Sequence, residues 1–493
     1  TSNSYDTAAT VSGDNGKQFR AVASNSEGSV NSNAATLTVS GSSGWQSDQQ
    51  VGSFYSNYSF MPEVASNANG QVAVVWSTSV NGAQPKLYIR RYDPANGWGA
   101  DENLLLPLHG SGYGGSLAVG MDNQGTVTAV WDAGDVGYGA GYGYSRVWAV
   151  RHTPASGWGT PAMQPLPDHN SNAAGNGWRE GAATPALAVN PAGGATVLWV
   201  QDKCVQGCVP GARLVAATFG AGGWGELNML YEQKVESGLS YSPGDIWAAT
   251  GPDGHAVVIW RRVAYNPANY ISSYSRWSMH FTAGTASGST PVFIADEEVP
   301  VGSLPYLETA LAVDGQGNAV LAWLEGDFTN GVSNYRVRFS RYGNTAGNWD
   351  SPQLLNGSCH YVTHPTVAVA ANGNAVVAAS NNCDGVHVMA APWTTSGGWG
   401  QQELVFASSY SIPPYPWSVI TSDGVPMIIA PVTSDGSLQS SRRVAGQWSG
   451  LEEASGASRG SRAKLAPLPG GDVLAVWYGT DGFHRSNIYK AAP

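Results

Sequence analysis

The chain has 493 residues, too many for one simple layered domain but enough for one large repeat architecture with a fragment beside it. Only 12% of residues are charged, whereas Gly (63), Trp (19) and Tyr (22) are abundant, which excludes a disordered chain and suits many short strands joined by tight turns. The formal net charge of -11 argues against general binding to phosphate backbones, and no apolar run approaches the roughly 20 residues that span a bilayer.

The first segment, DNGKQFRAVASNSEGSVNSNAATLTVSG from Asp14 to Gly41, resembles the last two strands of bacterial immunoglobulin-like domains. Asp14, Gly16 and Phe19 fall at that family's corner, Asn25 and Gly28 fit the hairpin turn, and Leu37 to Val39 fit the final strand. The resemblance implies a partial immunoglobulin-like segment over residues 1–41, because the core tryptophan and early strands of such a sandwich are absent. The chain begins inside that segment, so its first residue is not expected to be the start of the gene product.

From Gly44 onward one unit recurs: an apolar strand, a tight turn, then a second apolar strand that usually ends in Trp. PEVASNANGQVAVVW ends at Trp76, and its counterparts end at Trp131, Trp199, Trp260, Trp323, Ala379, Ala430 and Trp477, which makes eight copies. Asn, Asp or Pro followed by Gly in each turn supplies the left-handed backbone position of a short hairpin. A third strand follows, as in KLYIRRYDP, and then a fourth opened by Gly-Trp or a variant at Trp45, Trp98, Trp158, Trp224, Trp349, Trp399 and Trp448. A degenerate fourth strand is expected near Ser289 to Ala295.

Four strands per unit predict a propeller blade. The fold class is therefore all-β: an eight-bladed β-propeller over residues 44–493. The isolated fourth strand GWQSDQQVG, Gly44 to Gly52, is expected to pair near Ile488 and close the last blade, leaving no ragged sheet edge.

One face of such a disc carries uniformly short turns such as SNANG and DPANG. The opposite face carries long connections that swell between Trp76 and Trp323, rich in Tyr, Trp, His, Arg and Asp. Flat aromatic side chains stack on sugar rings, and Arg clamps a carboxylate with two parallel bonds. The working pocket is expected on that long-loop face, over blades two to five.

The four cysteines read best as two loop disulfides, Cys204 with Cys208 and Cys359 with Cys383, which implies an oxidising compartment and a secreted or cell-surface protein. No cofactor is expected; a structural calcium or zinc ion stays open, although no ligand set for one is evident.

No nucleophile elbow, H-E-x-x-H, phosphate loop, EF-hand or repeated sialidase box occurs. Tyr241 and Arg261 flank the first two strands of one blade, and His109 and His169 come from the two preceding blade junctions. This set resembles the His, Tyr and Arg kit of propeller-type polysaccharide lyases in architecture and residue types. The resemblance implies that Arg261 neutralises a uronate carboxylate while a His or Tyr removes the α-proton. Trp178, Arg179, Tyr265, Glu325, His360, Tyr361, His364, Tyr415 and Trp417 are the candidate substrate-binding residues.

Plainer roles compete with these. Arg261 is also placed to pair with Asp245 or Glu308, the histidines to sit solvated in loops, and Glu325 to be a surface charge. The expected function is that of a monomeric, secreted, carbohydrate-active propeller acting on a polysaccharide, in its sharp form a lyase cleaving a uronate-containing glycan by β-elimination. The alternatives are a non-catalytic lectin or adhesin and a surface assembly module. Loops that differ from blade to blade favour a single asymmetric site and tilt the reading toward an enzyme.

Overall fold

The computed structural model describes residues 17–36, 44–53, 62–78, 86–106, 113–134, 145–164, 178–180, 185–203, 211–232, 234–236, 239–266, 271–284, 297–298, 303–304, 308–329, 332–355, 361–383, 385–408, 414–432, 436–456 and 460–491. From residue 44 on they form eight antiparallel blades, numbered I to VIII here. Their inner strands are Glu63–Ser66, Tyr113–Met121, Ala186–Val189, Leu239–Thr250, Thr309–Val313, Val362–Val369, Trp417–Ile420 and Gly460–Pro467. Each inner strand packs on the next, and Gly460–Pro467 packs on Glu63–Ser66, so the eight form a closed ring around a central channel.

The second strands, such as Val72–Thr78 and Ala375–Asn382, are apolar on both faces because each is sandwiched between neighbouring blades. Trp76, Trp131, Trp199, Trp260, Trp323 and Trp477 lie within these strands, which run on past them, and are the largest fully buried side chains among the described residues. Side-chain oxygens clamp the turns that follow the inner strands. Asp122 Oδ1 accepts from the N–H groups of Gln124 (3.0 Å) and Thr126 (2.8 Å), and Asp314 Oδ1 does the same for Gln316 and Asn318.

Neighbouring turns also brace each other. Asn69 Nδ2 donates to the Asn123 carbonyl (2.9 Å), and the Asn123 N–H to that of Pro191 (2.8 Å). Gly70, at φ 74°, lies so close to Pro469 that no side chain fits there.

Except in blade III, where Gly223–Glu232 is one continuous strand, each Gly-Trp pair or its variant forms a two-residue strand, and the chain then resumes as a second short strand against the same partner. Trp98 faces Tyr92 and Glu102 faces Ile89, so four steps on the outer strand match three on its neighbour. The same one-residue bulge recurs in blades II, V, VI, VII and VIII. The single fourth strand read from the sequence is thus two pieces, because the Trp ring is turned back into the blade, as Trp98 is against Tyr92 (5.4 Å between ring centroids). In blade VIII those pieces are Gly44–Trp45 and Gln49–Ser53, paired with Phe483–Lys490 at the other end of the chain. In blade IV, residues 285–296 lie outside the described residues and Glu297–Glu298 takes the outer position.

Residues 17–36 form two short ladders, Gln18–Phe19 with Ala35–Thr36 and Val22–Asn25 with Gly28–Asn31, and all are exposed. The rest of the segment compared with immunoglobulin-like domains lies outside the described residues. No helix among the described residues is long and apolar enough to cross a membrane.

Candidate functional site at the channel mouth

The inner strands lose register at one height. In blade VI, Thr363 faces Ser380 and Thr366 faces Ala378, so His364 and Pro365 share a place that regular pairing gives to one residue. In blade IV, Gly244 and Asp245 are inserted in the same way between Pro243 and Ile246. Blade VIII has its bulge between Ser461 and Lys464. Blades II, III and V carry longer breaks, opposite Asp132, Trp199 and Val200, and Leu324 and Glu325. These irregularities lie at the ends of the inner strands away from the short turns. Bulges there turn extra side chains out of the ladder at the mouth of the channel.

Among those extra residues whose side chains are described, three carry charge or a titratable ring: Asp245, Glu308 and His364. Glu308 precedes its strand in blade V, and its carbonyl accepts from the Leu324 N–H (3.0 Å). Its carboxylate reaches across to blade VI and binds His364 twice. Oε2 accepts the backbone N–H (2.8 Å) and Oε1 accepts from imidazole Nδ1 (2.8 Å). An ionised carboxylate only accepts, so Nδ1 carries the hydrogen and, in the neutral ring, Nε2 keeps a lone pair.

His364 has φ 57°, one of two non-glycine residues in the left-handed region among those described. Such strain persists only where the surroundings hold it. Here Glu308 holds the ring edge, and Tyr415 from blade VII stacks on its face at 3.6 Å between centroids. Tyr415 is anchored in turn through the neighbouring Pro414 carbonyl, which accepts from the buried Ser380 hydroxyl.

These residues border a cavity of about 550 Å³ in the channel, walled by inner-strand residues of blades I to VII. Its apolar wall includes Leu117, Ile246 and Leu311, and its aromatic wall Trp247, Tyr415 and Trp417. Its carboxylates are Glu63 and Glu308, and Glu63 is paired with Lys464 of blade VIII (2.9 Å). An oriented imidazole beside aromatic faces in a cavity of this size can move a proton to or from a ring-shaped polar ligand.

Arg261 sits opposite the blade IV bulge and pairs with the inserted Asp245 (2.6 Å), one of the two partners expected for it. Tyr241 stands on the same hairpin, facing Ala264, and its side chain lies outside the described residues. The side chains of Trp178, Arg179 and Tyr265 lie outside them too, although their backbones belong to the upper strands of blades III and IV. His109, His169 and His360 lie wholly outside, as do Cys204, Cys208 and Cys359. Cys383 is disulfide-bonded.

Glu325 is engaged within blade V, accepting from Arg338 Nε (2.7 Å) and Trp323 Nε1 (3.1 Å). Tyr361 is exposed and meets Tyr335 edge-on at 5.2 Å. Of the sequence candidates, the structure therefore brings His364, Tyr415 and Trp417 together in the cavity wall. Among the described residues, no group of three or more His, Cys, Asp or Glu side chains converges as metal ligands would.

Sequence reasoning passed over Glu308 as a site residue. A signal was present in the repeats. That signal marks the partners of Glu308: the second strands of blades VI and VII carry Ala379 and Ala430 where the other blades have Trp, and these two blades supply His364 and Tyr415.

No protein-family profile matches the chain, and no curated protein matches its sequence. Among solved structures it is similar to a polysaccharide lyase described as an ulvan lyase, at 12% identity and TM-score 0.49, over 78% of this chain and 93% of that one. It is also similar to a second polysaccharide lyase at 9% identity and TM-score 0.48, over 87% and 90% of the two chains. An α-L-arabinanase from Penicillium chrysogenum complexed with arabinobiose matches at 10% identity and TM-score 0.35, over 90% and 98%. These are distant likenesses, and none of them fixes a reaction for this chain.

Proposed function

We propose that the protein is a secreted carbohydrate-active propeller that holds a uronate-containing polysaccharide at the mouth of its channel and cleaves it, as a monomer, by β-elimination. The observation that carries this reading is the cavity itself: about 550 Å³, aromatic on one side, with a carboxylate-held imidazole in its wall. The carboxylates described in the cavity wall, Glu63 and Glu308, are each tied to a basic partner, and the imidazole held by Glu308 is a group that can accept a proton. Arg261, at the height of the inner-strand bulges, is the group to neutralise the uronate carboxylate, with Tyr241 of the same hairpin as a proton-transfer group. His109 and His169 keep the place proposed for them at the preceding blade junctions. The disulfide at Cys383 supports an oxidising compartment.

The test is a panel of anionic polysaccharides, followed through the absorbance of an unsaturated uronate. Turnover by the wild-type protein is expected, and Arg261→Ala and Tyr241→Phe should abolish it with the unfolding midpoint nearly unchanged. Binding of a polysaccharide without any new absorbance would contradict the enzymatic reading, and full activity in both variants would contradict the residue roles.

A further inference from the structure

We propose that His364 is the proton acceptor of the channel site, working at Nε2, with Glu308 as the positioning residue that fixes its tautomer. The inference rests on the lyase reading above and names a base for it. Three independent features converge on one ring. The bulge at His364–Pro365 removes the residue from the ladder, the Glu308 carboxylate takes both the backbone N–H and Nδ1–H, and Tyr415 stacks on the face. Only Nε2 is left uncommitted by these contacts, in a residue that lines the cavity. A tie between blades V and VI alone requires neither a left-handed histidine backbone nor an imidazole with one lone pair open. An Arg on a regular strand would make a stronger one.

Nε2 takes the proton from the carbon bearing the uronate carboxylate, and the C–H electron pair becomes the new C=C bond. The bond from the adjacent carbon to the glycosidic oxygen breaks, and that oxygen takes the hydroxyl proton of Tyr241, the proton-transfer group proposed above. Water then carries the proton from Nε2–H back to the phenolate. The products are an unsaturated uronate end and a free hydroxyl, and the ring returns to its neutral form.

Two measurements on the full chain test the inference. Long-range ¹H–¹⁵N spectra of the ¹⁵N-labelled protein report the tautomer of His364, assigned by its loss in His364→Asn, a residue that tolerates the left-handed backbone. The neutral ring should carry its hydrogen on Nδ1 in the wild type and become a mixture of tautomers in Glu308→Gln. A hydrogen on Nε2 in the wild type overturns the inference whatever the activity. On the polysaccharide that gives unsaturated uronate, His364→Asn should lower kcat about 10³-fold, with KM within about threefold of the wild type and folding intact. Glu308→Gln should fall between the two. A kcat for His364→Asn within about twofold of wild type overturns the inference while leaving the lyase reading in place. Absence of turnover by the wild type on every uronate polysaccharide overturns that reading and the elimination step together.

Discussion

Two buried histidines away from the channel tie stability to pH. His484 lies between Trp76 and Tyr478, and burial pushes its pKa down to about 4. His280, stacked on Tyr342 at 3.8 Å, is pushed down to about 4 by burial first and by the nearby His255 second. Both rings are neutral when folded at pH 5 and take up a proton on unfolding, because the free imidazole titrates near 6.5. The unfolded chain therefore binds more protons between pH 6.5 and pH 4, and stability falls as pH drops through that window. For the fully buried His484 the loss approaches roughly 3 kcal/mol at the acid end. His484→Phe should lose less stability than wild type between pH 7 and pH 4.5 in denaturant titrations; an equal loss would show that His484 does not couple to pH. The tryptophans of the second strands are packed between the blades. Trp260 is 0% exposed, and Trp260→Ala should cost about 3–5 kcal/mol of unfolding free energy, read from the denaturant midpoint.

Strand pairs were legible because their signals are local. An apolar run, an Asx-Gly turn and another apolar run name an inner hairpin without reference to the rest of the chain, and Asp122 and Asp314 show the turn chemistry at work. Bulges were not legible, because an extra residue shows only against the strand it fails to match. His364–Pro365 reads in sequence as the start of a strand, and its role appears once Thr363 and Thr366 are set against Ser380 and Ala378. At the same scale, the pairing of Gln49–Ser53 with Phe483–Lys490 makes a sharp prediction. Gly52 faces the Trp76 indole, and a Cβ there would overlap the ring. Gly52→Val should destabilise the protein by roughly 1–3 kcal/mol by overpacking that contact, measured by equilibrium unfolding. A neutral effect would mean that this strand does not pack on blade I.

At the scale of the whole molecule, eight copies in sequence became eight blades whose inner strands touch all the way round. The closed ring explains what the sequence left dark. Glu308 and His364 are 56 positions apart in the chain and belong to different repeats, yet the ring makes blades V and VI neighbours and sets their bulges at one height. The sequence pointed to blades two to five by loop length, and most of those loops lie outside the described residues; the charged and titratable side chains described in the cavity wall come from blades I, V, VI and VII. The central claim is that ligand binds at this mouth. Hydroxyl-radical footprinting with and without a saturating uronate polysaccharide tests it most directly, because Tyr415 is 53% exposed and its ring oxidises readily when uncovered. Oxidation of Tyr415 and Trp417 should drop on binding, while the exposed Leu105 and Met163 on the outer strands of blades I and II react as before. Protection of those outer-strand side chains with Tyr415 unchanged would contradict it.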